Sequence, residues 1–375
     1  MQFYVTLTTL CNLSCRYCYG KCLEDMESSF DFEVDYSQPS TISYGLNTLA
    51  EFLSKDEEET TVIFYGGEPL LEMQKMMEIM DAVKAEKFMI QTNGILLHKL
   101  PPEYVNRLHT VLVSIDGDEK LTDFNRGKGT YRKVIENVKL LRERGFEGEI
   151  IARMTVTEET EIEKQVLWLL SNEDFSFTSV HWQIDALFGK KEYTKRRKTF
   201  AEWAEKSYNP QIRRLVQFWV NHMEREGQVL KIYPFLGVMH SLLNNQPTLL
   251  RCGAGWTMFN IQTDGTITPC PVMAGMKKYY LGHISETSPN RIRKVFVGEP
   301  CTTCRLYSIC GGRCLYANVT KLWGMDGFHL VRKTVENLID ALQKAKPKVQ
   351  RLIQTGKISL KDFEYTKYNS CEIIP

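Results

Sequence analysis

Cysteine is distributed along this chain in two groups, and nothing else in the sequence constrains its architecture so sharply. Cys11, Cys15 and Cys18 stand at C-x3-C-x2-C spacing in TLCNLSCRYCYG, with Cys22 just beyond. The next cysteine is Cys252, followed by Cys270, Cys301, Cys304, Cys310, Cys314 and Cys371. Eleven cysteines in 375 residues are too few for a disulfide-stapled secreted scaffold, and an odd count leaves one over. Three thiolates on one short loop can hold three irons of a cubane cluster and leave the fourth iron open to a ligand, which suits chemistry. Sets of four thiolates suit storage or relay of electrons. Taken alone, the first group also leaves a zinc knuckle open, with Cys22 as a fourth ligand. Cys22 otherwise reads as an ordinary thiol, since free cysteine is readily buried.

Between and around these groups the apolar pattern alternates between strand and helix. Strand-like runs are read at 3–7, 61–65, 87–92, 110–116, 149–156 and 179–185. The run TYRKVIENVKLLRER (130–144) repeats Val134, Ile135, Val138 and Leu141 with helical period, with Thr130 as the expected N-cap. Such alternation predicts a parallel α/β sheet. Six βα units fit residues 1–190, fewer than the eight of a closed barrel, so the expected fold is a partial (β/α)6 TIM-like barrel. Residues 191–250 are expected to form a helical bridge whose basic opening, KKEYTKRRK, reads as a solvated face. Residues 251–320 change character: a hairpin around Asp264-Gly265, then cysteine and glycine, as in a fold organised around metal. Residues 321–375 carry an expected helix at about 329–345 and a basic tail ending near Cys371.

A net charge of +1 gives no general pull toward nucleic acid or acidic lipid. The N-terminus lacks a signal-peptide pattern and no apolar stretch is long enough to span a bilayer, so a cytoplasmic protein is expected, with neither membrane nor nucleic acid as partner.

Polar and glycine motifs fall at the strand ends, where parallel α/β sheets place ligands. Tyr17 precedes Cys18. The second strand ends in Gly66-Gly67-Glu68-Pro69, the third in Thr92-Asn93-Gly94 and the fourth in Ser114-Ile115-Asp116-Gly117. With the cysteine loop, and in this order, these motifs resemble the radical S-adenosylmethionine (SAM) superfamily over about residues 3–190. The resemblance implies that Cys11, Cys15 and Cys18 ligate a 4Fe-4S cluster whose open iron chelates the methionine moiety. Reductive cleavage of the sulfonium would then yield a 5′-deoxyadenosyl radical that abstracts hydrogen from a substrate. It further implies that Gly66 and Gly67 present backbone to the methionine amino group with Glu68 in support, and that Tyr17 lies near the adenine. Ser114 and Asp116 would lie near the ribose, Arg126 near the cofactor, Asn93 at the ribose or carboxylate, and Arg153 at a carboxylate. On general grounds Asp116-Gly117 also reads as a plain turn and Arg126 as a surface residue.

The run C-x2-C-x5-C-x3-C from Cys301 to Cys314, with Cys252 and Cys270 before it and Cys371 after, resembles the cysteine-rich SPASM extension of radical SAM peptide and protein maturases. That resemblance implies two auxiliary 4Fe-4S clusters, three clusters in all. Cys252, Cys270 and Cys314 would serve the first auxiliary cluster, and Cys301, Cys304, Cys310 and Cys371 the second. The first set is one cysteine short of some relatives, and the gap from Cys314 to Cys371 is long for the pattern. A zinc ribbon remains the alternative for paired cysteines.

Auxiliary clusters able to accept an electron favour net oxidation. The expected activity is therefore oxidative modification of a ribosomally made peptide or protein, by a thioether or another side-chain crosslink. A low-potential donor such as flavodoxin or ferredoxin would supply the electron. Formylglycine formation, as in anaerobic sulfatase maturases, is the enzymatic alternative; relatives of that kind carry an aspartate after the second cysteine of the extension, where this chain has Pro271. A non-catalytic iron–sulfur or zinc carrier is the alternative of another class.

Overall fold

The computed structural model describes residues 1–18, 33–186, 190–367 and 371–375, the side chains of 190–192 excepted; Cys22 lies outside the described residues. Two compact units emerge. The first comprises Met1–Ala152, Glu173–Phe175 and Gly253–Phe296; the second comprises Arg153–Asn172, Ser176–Cys252 and Val297–Pro375.

In the first unit lie β1 (Gln2–Thr8), β2 (Thr61–Gly66), β3 (Lys87–Thr92), β4 (Leu108–Ser114), the start of β5 (Glu149–Val156), β8 (Met258–Ile261) and β9 (Ile267–Thr268). Their order across the sheet is β5-β4-β3-β2-β1-β8-β9. The ladders from β4 to β3, β2 and β1, and from β1 to β8, are parallel; β8 and β9 form the antiparallel hairpin expected around Asp264-Gly265. β1 buries Phe3, Tyr4, Val5 and Leu7, residues that point to both faces, as a strand covered on both sides must. The helix Thr130–Glu143 buries Tyr131, Val134, Ile135, Val138 and Leu141 and turns Lys133, Glu136 and Lys139 outward. Its N-cap is Gly129, one residue before the expected Thr130. Asp123 takes over the capping, accepting from the Gly129 N–H at 2.6 Å and the Tyr131 N–H at 2.9 Å. A side chain of the preceding helix, Glu119–Arg126, thus meets the free N–H groups that a cap residue would otherwise satisfy.

In the second unit are the rest of β5, β6 (Ser179–Ile184) and the two-residue β7 (Lys231–Ile232), ordered β7-β6-β5, with β6 and β7 parallel. Residues expected as a helical bridge form helices Lys190–Trp203, Asn209–Glu226 and Tyr233–Asn244, the first two joined by a π-turn over Ala204–Tyr208. The C-terminal helix runs from Gly324 to Gln354, well beyond 329–345, and continues through Pro347. Proline is read as a helix terminator because it removes one N–H and crowds the preceding turn. Here the buried stripe extends on both sides of it, from Leu338, Ile339 and Leu342 to Val349 and Leu352. Among the described residues no helix is long and apolar enough to cross a membrane.

Candidate functional site

In the first unit, the ends of β1 to β4 gather every motif singled out before residue 130. β1 hands the chain to the cysteine loop at Thr8, a fully buried residue whose hydroxyl donates to Ser40 O (2.7 Å) and accepts from the Leu10 N–H (3.1 Å). The Gly66-Gly67-Glu68 turn lies against this segment. Gly67 N–H donates to Thr8 O at 2.9 Å, and Glu68 N–H to Leu10 O at 2.8 Å. A Cβ on Gly66 would stand 2.3 Å from Thr8 O, and one on Gly67 2.3 Å from Leu10 O. The glycines are therefore required for close backbone approach.

Glu68 is fully buried and acts as a clamp. One carboxylate oxygen accepts from Leu70 N–H (3.0 Å) and the Thr92 hydroxyl (2.7 Å), the other from Asn93 N–H (2.7 Å). It thereby ties the end of β2 to the end of β3. Burial pushes its carboxyl pKa up, against those three bonds. Asn93, so fixed, donates from its side-chain amide to Asn12 Oδ1 at 2.7 Å, with Cys11 Sγ at 3.8 Å.

A second brace comes from β4. Asp118 caps the helix Glu119–Arg126 by accepting from Leu121 N–H, which sets Arg126 in the last turn facing Asp116. Arg126 Nε and Nη2 donate to the two Asp116 oxygens at 3.0 and 2.9 Å. The Tyr17 hydroxyl donates to the same carboxylate at 2.5 Å, and the Arg126 guanidinium lies 5.4 Å from the Tyr17 ring centre. Asp116 is fully buried and Arg126 nearly so, so neither the plain turn nor the surface arginine describes them. Burial works against the Arg126 charge, but Asp116 outweighs it and holds the guanidinium protonated. Burial raises the Tyr17 pKa well above the ordinary phenol value, keeping it a neutral donor. Arg16 adds an N–H bond to Asn125 O at 2.9 Å and stacks on Phe124 at 4.2 Å. Ser114, at the end of β4, is partly exposed.

Cys11 is exposed, while Cys15 and Cys18 are partly covered. Partial cover of its sulfur raises the Cys11 thiol pKa, opposed by the Leu13 N–H 3.4 Å from that sulfur. Burial also raises Cys15, opposed by the Arg126 charge. Such thiols give up their protons to a metal rather than to water. Among the described residues no three His, Cys, Asp or Glu side chains converge as ligands of one ion. A cubane asks instead for one thiolate on each of three irons. A short loop bearing three thiols, two of them partly open, fits that demand.

In the second unit the Cys301 pKa is pushed up to about 11, by burial first and then by the neighbouring Cys310 and Cys304. Asn318 donates to Cys301 Sγ at 3.4 Å and brackets Gly298, accepting from its N–H (2.8 Å) and donating to its carbonyl (3.0 Å). Burial raises Cys310, opposed by the Gly312 and Arg313 N–H groups. Cys314 starts the helix Leu315–Thr320. Cys371 is fully buried, with Arg153 Nη1 at 3.7 Å. That same nitrogen meets His181 Nδ1 at 3.0 Å. Arg153 thus sits in the second unit with His181 and Cys371. Cys252 belongs to the second unit and Cys270 to the first.

Asn12, Asn125 and Asn318 were not singled out from the sequence, and Thr92 was named only as part of a strand end. Adjacency was the available signal: each directly neighbours a motif residue or lies within one turn of a cluster cysteine.

Residues 5–167 match the family model described as the Radical SAM superfamily. Those residues form a radical SAM domain. The chain is 24% identical over 335 residues to the cysteine-type anaerobic sulfatase-maturating enzyme of Clostridium novyi (strain NT), covering 81% of this chain and 84% of that one. Its fold is similar to native anSMEcpe with bound AdoMet (TM-score 0.66, 20% identity, 93% of this chain and 99% of that one). It is also similar to Streptococcus suis SuiB bound to precursor peptide SuiA (TM-score 0.54, 17% identity, 85% and 72%). The chain is thus an enzyme with an α/β fold and a mostly parallel sheet, and its radical SAM domain implies SAM and a 4Fe-4S cluster.

Proposed function

We propose that this enzyme oxidatively modifies a side chain of a ribosomally made peptide or protein, with a thioether or another crosslink as the product. The observation that carries this reading is the double bracing of the cysteine loop, by Glu68 through Asn93 and by Asp116–Arg126 through Tyr17. Cys11, Cys15 and Cys18 would hold the cluster, which supplies one-electron cleavage of SAM.

The chain's own residues position and shield. Gly67, whose N–H is taken by Thr8 O, and Gly66 beside it would offer carbonyl oxygen to an ammonium. Asn93 orients Cys11, and Ser114, half open at the strand end, is the ribose-side candidate. Asp116, Arg126 and Tyr17 bond to one another, and their role is to hold the loop. Peptide as substrate is supported by the likeness to SuiB with its precursor peptide and to a sulfatase-maturating enzyme. Two auxiliary clusters, on Cys252, Cys270 and Cys314 and on Cys301, Cys304, Cys310 and Cys371, would take the substrate electron; a flavodoxin or ferredoxin would reduce the first cluster. Arg153 would neutralise negative charge beside Cys371.

The test is anaerobic reconstitution with iron and sulfide counts, then dithionite and SAM. Formation of 5′-deoxyadenosine is expected, and a Cys15→Ala variant should keep auxiliary iron yet form none. Undiminished deoxyadenosine from that variant would overturn the assignment.

Formylglycine formation is favoured as a second reading by similarity to the Clostridium novyi maturase along most of both chains. Pro271, which opens a 3-10 turn after Cys270 and carries no acid, argues against it. Incubation with a cysteine peptide from a sulfatase and trapping of the aldehyde by a hydrazide distinguishes the two readings.

A further inference from the structure

The segment that carries Cys252 lies along the turn that carries Cys310, and both belong to the second unit. Thr248 N–H donates to Ser308 O at 2.8 Å, and a Cβ on Gly311 would stand 2.0 Å from Leu249 O. Arg251, the residue before Cys252, completes the contact with its side chain. Its Nε and Nη2 both donate to Ile309 O, the carbonyl next to Cys310, at 2.8 and 2.6 Å. Nη2 also donates to Ser241 Oγ at 2.8 Å. Arg251 is only 3% exposed.

The neighbouring helix is shaped to this guanidinium. Ser241 belongs to the helix Tyr233–Asn244, and Gly237 lies one turn earlier on it. A Cβ on Gly237 would stand 3.1 Å from Arg251 Nη1. Glycine in a helix interior costs about 1 kcal/mol against alanine, and here the space it leaves is taken by the arginine.

Both acceptors are neutral, and among the described residues no carboxylate pairs with Arg251. Arginine stays protonated, so a fixed cation is buried between two cysteine-bearing segments. Its field reaches Cys310: burial raises that thiol pKa, and the Gly312 N–H and then the Arg251 charge oppose the rise. A reduced iron–sulfur cluster carries one more negative charge than the oxidised one. A fixed cation nearby therefore favours the reduced form and raises the potential.

We propose that Arg251 is a positioning residue for the auxiliary clusters: its fork fixes the Cys310 turn against the Cys252 segment, and its charge makes the cluster held by Cys310 a better electron acceptor. This proposal rests on the reading that Cys301, Cys304 and Cys310 ligate an auxiliary cluster. It adds to that reading the group that biases the substrate electron toward it.

The test is a redox titration of the anaerobically reconstituted full chain, followed by electron paramagnetic resonance. The signal that Cys304→Ala removes is the one to follow. At the potential where that cluster is half reduced in the parent, Arg251→Gln should lower its reduced-to-oxidised ratio at least about tenfold, or about 59 mV for one electron. Arg251→Lys keeps the charge and loses the fork, and its potential should stay near the parent value. Both variants lose hydrogen bonds and should melt lower, so a purely structural arginine would make them behave alike. Equal potentials in the two variants, or equal loss of auxiliary iron from both, would overturn the proposal. Auxiliary iron kept by Arg251→Lys and lost from Arg251→Gln would support it. Iron and sulfide counts on the parent separate the readings. A parent without auxiliary iron refutes the auxiliary-cluster reading and this proposal with it, whereas loaded clusters indifferent to the charge at position 251 refute the role of Arg251 alone.

Discussion

Arg126 grips Asp116 through two hydrogen bonds of 3.0 and 2.9 Å, and both partners are withdrawn from water. Removing one member of a buried pair strands the other charge. Asp116→Ala is expected to destabilise the protein by about 3–5 kcal/mol in urea unfolding. It should also release Tyr17 and lower the iron retained by the first cysteine group. Arg126→Lys should weaken the brace less. Wild-type stability and iron in Asp116→Ala would contradict the assigned role.

Gly67→Ala tests the contact between strand end and loop. Its Cβ would meet Leu10 O at 2.3 Å and Thr9 O at 2.7 Å, both backbone atoms with no rotamer to escape into. Overpacking of this kind costs about 1–3 kcal/mol. The expected result is a lower melting temperature together with reduced iron per chain after reconstitution. Gly129→Ala serves as the control, because no atom lies within 4 Å of where its Cβ would stand, although its φ is positive. It should lose stability without a selective loss of iron.

Asn318 fixes Gly298 on both sides and contacts Cys301 Sγ. Asn318→Ala removes the bonds to the Gly298 N–H and carbonyl and to the Cys301 sulfur, at a cost of about 0.5–1.5 kcal/mol for each bond lost. If Cys301 ligates an auxiliary cluster, the electron paramagnetic resonance signal of that cluster should change while SAM cleavage by the first cluster persists. An unchanged spectrum would detach Cys301 from that cluster.

His181 gives a pH signature. It is fully buried, and burial first, then the Arg153 charge, holds its imidazole pKa well below the ordinary value of 6.5. Arg153 can only donate, so His181 Nδ1 accepts and Nε2–H donates to Ile373 O. With the folded pKa depressed, the unfolded chain binds more protons below about pH 6.5. The stability that neutral His181 provides is thus complete above that pH and lost as pH falls toward the folded pKa, at up to about 1.4 kcal/mol per pH unit. Urea unfolding should show the parent ahead of His181→Gln near neutrality and the gap narrowing on acidification. A constant gap would refute this account.

The strands were legible because each is a short apolar run bounded by polar or glycine residues, and the observed β2, β3 and β5 start where the pattern does. The motifs at their ends were legible as positions, since a parallel sheet collects them at one edge. The partners inside the site were not. Nothing in FNRGKGTY tells that Arg126 turns inward; that follows from Asp118 capping a helix of fixed length so that its last turn meets Asp116. Thr130 lost the cap to Asp123 because a side chain of the preceding helix reaches N–H groups at the start of this one. Pro347 misled for a related reason: propensity is local, whereas the apolar face that carries the helix past it is tertiary. β7, with only two residues, has no pattern long enough to read.

β1 lies between β2, which pairs with it along residues 2–8, and β8, which pairs along residues 2–5. A nascent chain that has not reached Met258 therefore carries the cysteine loop on a strand with one side bare. Cluster insertion during synthesis would have to act on that half-built seat, and any truncation ahead of β8 would leave the same edge open to pairing with other chains.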